Sequence, residues 1–257
     1  MGRQATHRDT VDVVLPVYHG NLEILAESVS VLHRALLGLA EAYRPALVVS
    51  INGPGIERIE SMARRLADAY PLVRVFTTQH AGKGWGVFSA WAASEAEIVS
   101  YMDVDLATDL EALPALLEAV RDGADFAIGS RYREGARMER TLKRLFLSKV
   151  YHRVLINGFL GVPLTDVQCG FKACRRPAAL ALIPKVKDRK WFFEAEMLYY
   201  AYKAGYRIEE IPVVWRESSK SSLHLLQASL EFFHGVMRLK LSGSRAGRGS
   251  RLGCGSA

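Results

Sequence analysis

Short apolar runs alternating with helix-length stretches constrain this chain more than any other feature, and the pattern repeats along its first half. VDVVLPVY, from Val11 to Tyr18, ends at His-Gly and is followed by an apolar-periodic stretch through Ala40. ALVVSIN then leads into GIERIESMARRLADAY, VRVFTT into a Gly-rich turn and GVFSAWAAS, EIVSYMDVD into LEALPALLEAV, and DFAIGSRY closes the series. Strand and helix in strict alternation predict an α/β domain with a mainly parallel sheet flanked by helices on both faces.

Ligands of such sheets gather at the carboxyl ends of the strands, so the residues that follow each apolar run are the ones to inspect. They read Tyr18-His19-Gly20, Asn52-Gly53, Gly82-Lys83-Gly84, Asp103-Val104-Asp105 and Ser130-Arg131. In extended geometry Asp103 and Asp105 share a direction and converge on one cation, and a divalent ion relieves the mutual repulsion of two crowded carboxylates. The competing reading is a solvated loop in which Thr108 or Asp109 caps the next helix. Lys83 sits between glycines that admit a ligand close to the backbone, where an ammonium meets phosphate; a plain surface turn is the alternative, and the GxxxxGK[ST] spacing of a P-loop is absent.

Beyond residue 133 the rhythm changes. A basic stretch, RMERTLKRLFLSKVYHRVLINGFLG, precedes VQCGFKACR, WFFEAEMLYYAYKAG and a strand-like RIEEIPVVW. Arg131, Arg137, Arg140, Lys143, Arg144 and Lys149 suit either a phosphorylated acceptor or a solvated helix face. Asp166 reads as a cap or a general base, and Glu194 and Glu196 open a helix where its dipole favours carboxylates. Leu223 to Leu241 is amphipathic, with Leu226, Leu230, Phe233 and Met237 on one face and Arg238 and Lys240 near its end; it reads as a packed terminal helix or as one lying on a membrane surface. Residues 1–10 are expected to be flexible, and the Gly/Ser-rich basic tail 242–257 disordered.

Lysine and arginine number 34 against 27 acids, net +7, which favours an anionic partner. No nucleic-acid-reading motif accompanies the charge, so no nucleic-acid partner is expected. No apolar run approaches the roughly 18 to 20 residues that cross a bilayer, and the start lacks a signal core, so a cytoplasmic protein is expected. Cys169, Cys174 and Cys254 show no metal-ligand spacing and read as free thiols.

LPVY, the GKG turn, DVD, GSRY…GAR…R…LKR…S, TDVQCGFKA, WFFEAEML and EIPVVWRE stand in the order and spacing of the family 2 glycosyltransferases. The chain resembles that family over about residues 11 to 241, and within it the polyprenol- and dolichol-phosphate sugar transferases. The resemblance implies one GT-A domain with a Rossmann-like sheet, a nucleotide-sugar half at 11–132 and an acceptor half at 133–241. It implies that Asp103 and Asp105 hold Mg2+ or Mn2+ on the donor diphosphate, and that Pro16, Tyr18, Lys83 and Asp103 form the nucleotide pocket. Arg131, Arg144 and Ser148 would bind a polyprenyl phosphate or other anionic acceptor, with Asp166, Glu194 and Glu196 lining the reaction centre. The WFFEAE and VVWRES segments stand closer to the glucosyl than to the mannosyl branch, which implies UDP-glucose over GDP-mannose and inverting transfer, with peripheral membrane contact. Where the family has an Asp-Asp-Gly-Ser turn this chain reads Ser50-Ile51-Asn52-Gly53, so Asn52 offers base or ribose hydrogen bonds without charge. Two other functions fit the same residues: transfer to a soluble natural-product or nucleoside acceptor, and non-catalytic binding of nucleotide or membrane.

Overall fold

The computed structural model describes residues 7–139, 153–216 and 231–241. The alternating runs become β1 (Thr10–Val17), α1 (Leu22–Gly38), β2 (Arg44–Asn52), α2 (Glu57–Ala69), β3 (Val73–Thr78), α3 (Lys83–Ala93), β4 (Ile98–Met102), α4 (Leu113–Arg121) and β5 (Phe126–Ser130). A short β6 (Arg137–Glu139) follows, then a π-helical segment (Arg153–Leu160), β7 (Phe171–Arg175), α5 (Arg176–Leu182), α6 (Phe193–Lys203), β8 (Ile208–Pro212) and β9 (Val214–Arg216). A last helix, α7, covers 231–241.

Seven strands form one sheet in the order β3-β2-β1-β4-β7-β5-β8, and β6 pairs with β9 beside it. The pairs β1–β2, β1–β4, β2–β3 and β5–β8 are parallel, as the alternation requires. β7 runs antiparallel between β4 and β5. The two halves of the chain therefore share one sheet, because β7 and β8 from the second half complete the sheet of the first.

Both faces of the sheet are covered, which is why its strands read as unbroken apolar runs. Val11, Val13, Leu15 and Val17 of β1 pack with Leu25, Val29 and Leu32 of α1 on one face. Val14 points the other way, into a cluster with Val87, Phe88 and Trp91 of α3 and Phe193 and Met197 of α6. The β1–β4 ladder ends at Val14↔Tyr101, so Pro16, which has no N–H to give, lies where β2 alone continues as its neighbour. The sheet's hydrogen bonding begins within the segment expected to be flexible, since the Asp9 carbonyl accepts from Arg44 N at 2.9 Å; residues 1–6 and the expected disordered tail lie outside the described residues. Cys169 and Cys174 are free and buried, and Cys254 lies outside the described residues.

The terminal helix buries a face other than the one its periodicity suggested. Phe232, Val236 and Leu239 pack with Phe192, Leu198 and Ile156. Phe233 and Leu241 are 44% and 61% exposed, with Met237 between them on the same stripe. The helix is apolar on two faces, and a periodicity count cannot choose between them; Leu226 and Leu230 lie outside the described residues. Among the described residues no helix is long and apolar enough to cross a membrane.

Trp91 is fully buried, donates from Nε1 to the Ser100 carbonyl at 3.2 Å and packs against Phe88 and Tyr101. Trp91→Ala is expected to lower stability by about 3–5 kcal/mol in urea unfolding. A loss below about 1 kcal/mol would show that α3 is not part of the core.

Candidate active site

At the carboxyl end of β4 four charged groups alternate in sign. The Lys83 ammonium, at the first residue of α3, lies 2.7 Å from Asp103 Oδ1 and donates to Glu194 Oε1 at 2.6 Å. Glu194 Oε2 in turn accepts from the buried Lys172 ammonium at 3.3 Å. Lys172 comes from β7, Glu194 from α6 and Asp103 from the turn after β4, so the antiparallel strand delivers the innermost cation. Burial works against the Lys83 charge, but Asp103 and Glu194 outweigh it and hold its pKa above the ordinary value. Burial likewise works against the Glu194 charge, yet Lys172 and Lys83 pull its pKa below the ordinary 4.5. Tyr101 and Phe193 floor the site, with their ring centroids 5.2 and 5.9 Å from Lys83 Nζ.

The DVD segment is a turn rather than an extended strand end: Leu106 N donates to the Asp103 carbonyl at 3.1 Å, and Leu106 takes φ +48°. The two aspartates are brought near by this turn, not by strand alternation. Asp103 is 42% exposed and rests over Gly170, where a Cβ would lie 2.0 Å from Oδ2. Asp105 is exposed at the surface and has no ion-pair partner among the described residues; partial desolvation first and the Asp103 charge second raise its pKa. Two neighbouring hard oxygen donors fit a divalent cation, which would relieve the repulsion between them. His7, Asp9 and Glu97 also gather three donors, but at the amino end of β1 and β4, where Thr10 N and His7 already bond Glu97.

The other residues nominated from sequence are placed differently. Gly82 and Gly84 lie close against the chain's own backbone: Cβ atoms there would meet Arg189 O at 2.4 Å and Arg189 C at 2.9 Å. Gly84 N and Trp85 N donate to the Lys190 and Arg189 carbonyls. Asn52 is buried as a brace, its Nδ2 donating to Val17 O at 2.9 Å and its Oδ1 accepting from Gly82 N at 3.0 Å. Pro16 is buried beneath this brace, near Gly86, and Tyr18 stands 37% exposed beside it.

Asp166 is fully buried and accepts both Arg131 Nε at 2.6 Å and Arg131 Nη2 at 2.9 Å, together with the amides of Arg131 and Gln168. The fork holds the Arg131 charge against the burial that opposes it, raising its pKa. Glu196, two residues along α6 from Glu194, points away from the site and accepts from Asp188 N at 2.8 Å and Arg238 at 2.5 Å. Adjacent even positions of a helix face roughly opposite sides, so Glu194 and Glu196 serve different junctions. Arg144 and Ser148 lie outside the described residues. Lys172 was missed in the sequence; its alternation within FKACR, flanked by buried Phe171 and Ala173, marked a lysine inside a core strand. Sequence periodicity also gave no sign that Trp215 would border Asp103, with which it lines a shallow hollow that includes Thr108 and Gly170.

With the geometry in place, comparison with known proteins gives the class: the profile of Glycosyl transferase family 2 matches residues 12–182, and the chain belongs to that family. It is 33% identical over 233 residues to glycosyltransferase AglD of Haloferax volcanii, covering 89% of this chain and 36% of that one. It is 28% identical over 249 residues to the dolichyl-phosphate beta-glucosyltransferase ALG5C of Trichomonas vaginalis, covering 88% and 73%. Against the dolichol-phosphate mannosyltransferase of Pyrococcus furiosus it is 29% identical over 171 residues, covering 65% and 46%. The chain thus spans about a third of the first of these relatives and under half of the third. Glucosyl-3-phosphoglycerate synthase from Mycobacterium tuberculosis, solved with Mn2+, UDP and glucosyl-3-phosphoglycerate, superposes with a TM-score of 0.65 at 17% identity, covering 90% of this chain and 80% of that one. The sheet is that of the GT-A glycosyltransferases, and the protein is a family 2 glycosyltransferase related to the polyprenyl-phosphate sugar transferases.

Two expectations follow from the ion pairs. Asp166→Ala strands a buried guanidinium and is expected to cost about 3–5 kcal/mol, while pairing it with Arg131→Met recovers most of the loss; additive losses in urea melts would refute the pairing. Because the folded pKa of Glu194 is depressed, its contribution to stability is present above about pH 4.5 and is lost as pH falls through the lower folded value. Glu194→Gln should therefore be less stable than wild type at neutral pH and lose less on acidification; parallel curves for the two proteins would contradict the shift.

Proposed function

We propose that the protein transfers a hexose, with inversion, from a nucleoside diphosphate sugar to a polyprenyl phosphate, with UDP-glucose favoured over GDP-mannose as donor and Mg2+ or Mn2+ as the ion. One observation carries the choice of acceptor. Each carboxylate expected at the reaction centre is committed to a cation: Asp166, read as a cap or a general base, to Arg131, Glu194 to Lys83 and Lys172, and Glu196 to the half-exposed Arg238. An alcohol acceptor needs a base to take its proton, whereas a phosphate is already anionic and needs correct placement alone. In the transfer a phosphate oxygen bonds to the sugar's anomeric carbon as the bond from that carbon to the diphosphate oxygen breaks on the opposite side, and the nucleoside diphosphate departs with the electron pair.

Asp103 and Asp105 would hold the ion, which when bound supplies positive charge to the departing diphosphate. Lys83 adds a second positive charge at the same end, and Glu194 keeps its ammonium aimed there in a position that Lys172 fixes. The relatives named for dolichyl-phosphate glucosylation and mannosylation support a lipid-linked acceptor. The exposed Phe233 and Leu241, with half-buried Met237 between them and Lys240 beside, suit contact with the surface in which such an acceptor lies.

The test is transfer of radiolabelled glucose from UDP-glucose to a polyprenyl phosphate, followed by organic extraction. Lipid-phase label is expected with Mg2+ or Mn2+, and Asp105→Ala should reduce it at least about a hundredfold, the scale of losing a main electrostatic group. Label recovered in the aqueous phase as a glycoside would replace the acceptor, and undiminished turnover of Asp105→Ala would remove the ion-holding role.

A further inference from the structure

We infer that the Trp191 indole is the surface against which the donor's hexose packs, which makes it a specificity-determining residue of the transfer; this rests on reading the Lys83–Asp103 end as the diphosphate site. Trp191 is 46% exposed although the two residues after it, Phe192 and Phe193, are buried. Its exposure does not come from a loose segment. Asp188 Oδ1 accepts from Lys190 N at 2.8 Å and from Phe192 N at 3.1 Å, closing the backbone on both sides of Trp191. The preceding carbonyls of Arg189 and Lys190 are tied to the first turn of α3, and the Arg189 guanidinium lies against the rings of Trp85 and Phe88 and donates to Ile183 O at 3.0 Å.

The held indole borders the charged end of the site. Its ring centroid is 5.6 Å from Lys83 Nζ, the same ammonium that lies 2.7 Å from Asp103 Oδ1. A large ring kept half in water forgoes apolar burial that a buried position would give it, and nothing packed on its open side recovers that among the described residues. A hexose attached to a diphosphate at Lys83 and Asp103 brings a face of C–H groups to that position, while its hydroxyls stay free for polar partners. The nucleoside end falls the other way, toward Tyr18 and the ends of β1 and β2.

Calorimetric titration of the full chain in Mn2+ with UDP, UDP-glucose, GDP and GDP-mannose tests this. Trp191→Ala is expected to weaken the bound sugar nucleotide about two- to tenfold more than the matching nucleoside diphosphate, and Trp191→Phe to retain most of the difference. Equal weakening of both ligands would overturn the inference, because loss of the ring's contact with Lys83 would then be the whole effect; unchanged binding of both would overturn it as well. Tighter dependence on polyprenyl phosphate in the transfer assay with no change in donor binding would assign the ring to the acceptor and overturn it too. If wild-type protein binds none of the four nucleotides, the donor reading itself falls and this inference with it.

Discussion

The line of alternating charges Lys172–Glu194–Lys83–Asp103 fixes the geometry on which the rest of the site depends. Each inner member is buried, and a buried charge is tolerated when its neighbour of opposite sign stays within reach. The four residues come from β7, α6, α3 and the turn after β4, so moving any one of these elements leaves a charge unpaired. The series is closed at Lys172, which also donates to the Cys169 carbonyl, and open at Asp103, which is partly in water. Polarity therefore runs from a sealed interior to an accessible carboxylate.

The antiparallel β7 makes this possible. A parallel strand between β4 and β5 would need a crossover on its amino side and would present a different edge to the DVD turn. Running the other way, β7 is entered from the carboxyl end of the sheet, so the segment leading into it passes directly beside Asp103. Gly170 O accepts Asp103 N at 3.0 Å there, and the missing side chain of Gly170 leaves room for the Asp103 carboxylate. Cys169 sits in the same turn, fully enclosed, with its thiol pushed up to about 11 by burial first and by Asp166 second. Its Sγ lies 3.7 Å from the Thr108 hydroxyl.

Much of this was legible in the sequence, and the parts that were not share a cause. The strands of the first half announced themselves by unbroken apolar runs, and Lys83 and Asp103, which follow two of them, do meet at the carboxyl end of the sheet. What a run cannot state is its neighbour: FKACR reads as a strand, but nothing local says that it enters between β4 and β5 in reverse. The same limit hid the duties of Asn52, Gly82 and Gly84, whose residue types suit a ligand as well as they suit a backbone brace and a close crossing of two loops. Asp166, Glu194 and Glu196 were recognisable as important carboxylates, yet their partners lie 35, 111 and 42 residues away in sequence. Residue type shows that a buried charge needs a partner, and only the fold decides which one it receives.

Glu196 shows how far the consequences of one such partner extend. Its Oε2 accepts from Asp188 N and from Arg238 of α7, and Asp188 in turn fixes the amides on either side of Trp191. The helix with the exposed apolar stripe and the loop that presents the indole are thus two ends of one hydrogen-bonded unit. Glu196 itself has no exposure to water, so a shift of α7 that withdrew Arg238 would leave a carboxylate buried without its cation, a cost of several kcal/mol. That cost couples the position of α7 to the position of Trp191. The same packing of Phe232 against Phe192 joins them on the apolar side. The exposed apolar side of α7 and the exposed Trp191 indole are consequently held in fixed relation to each other.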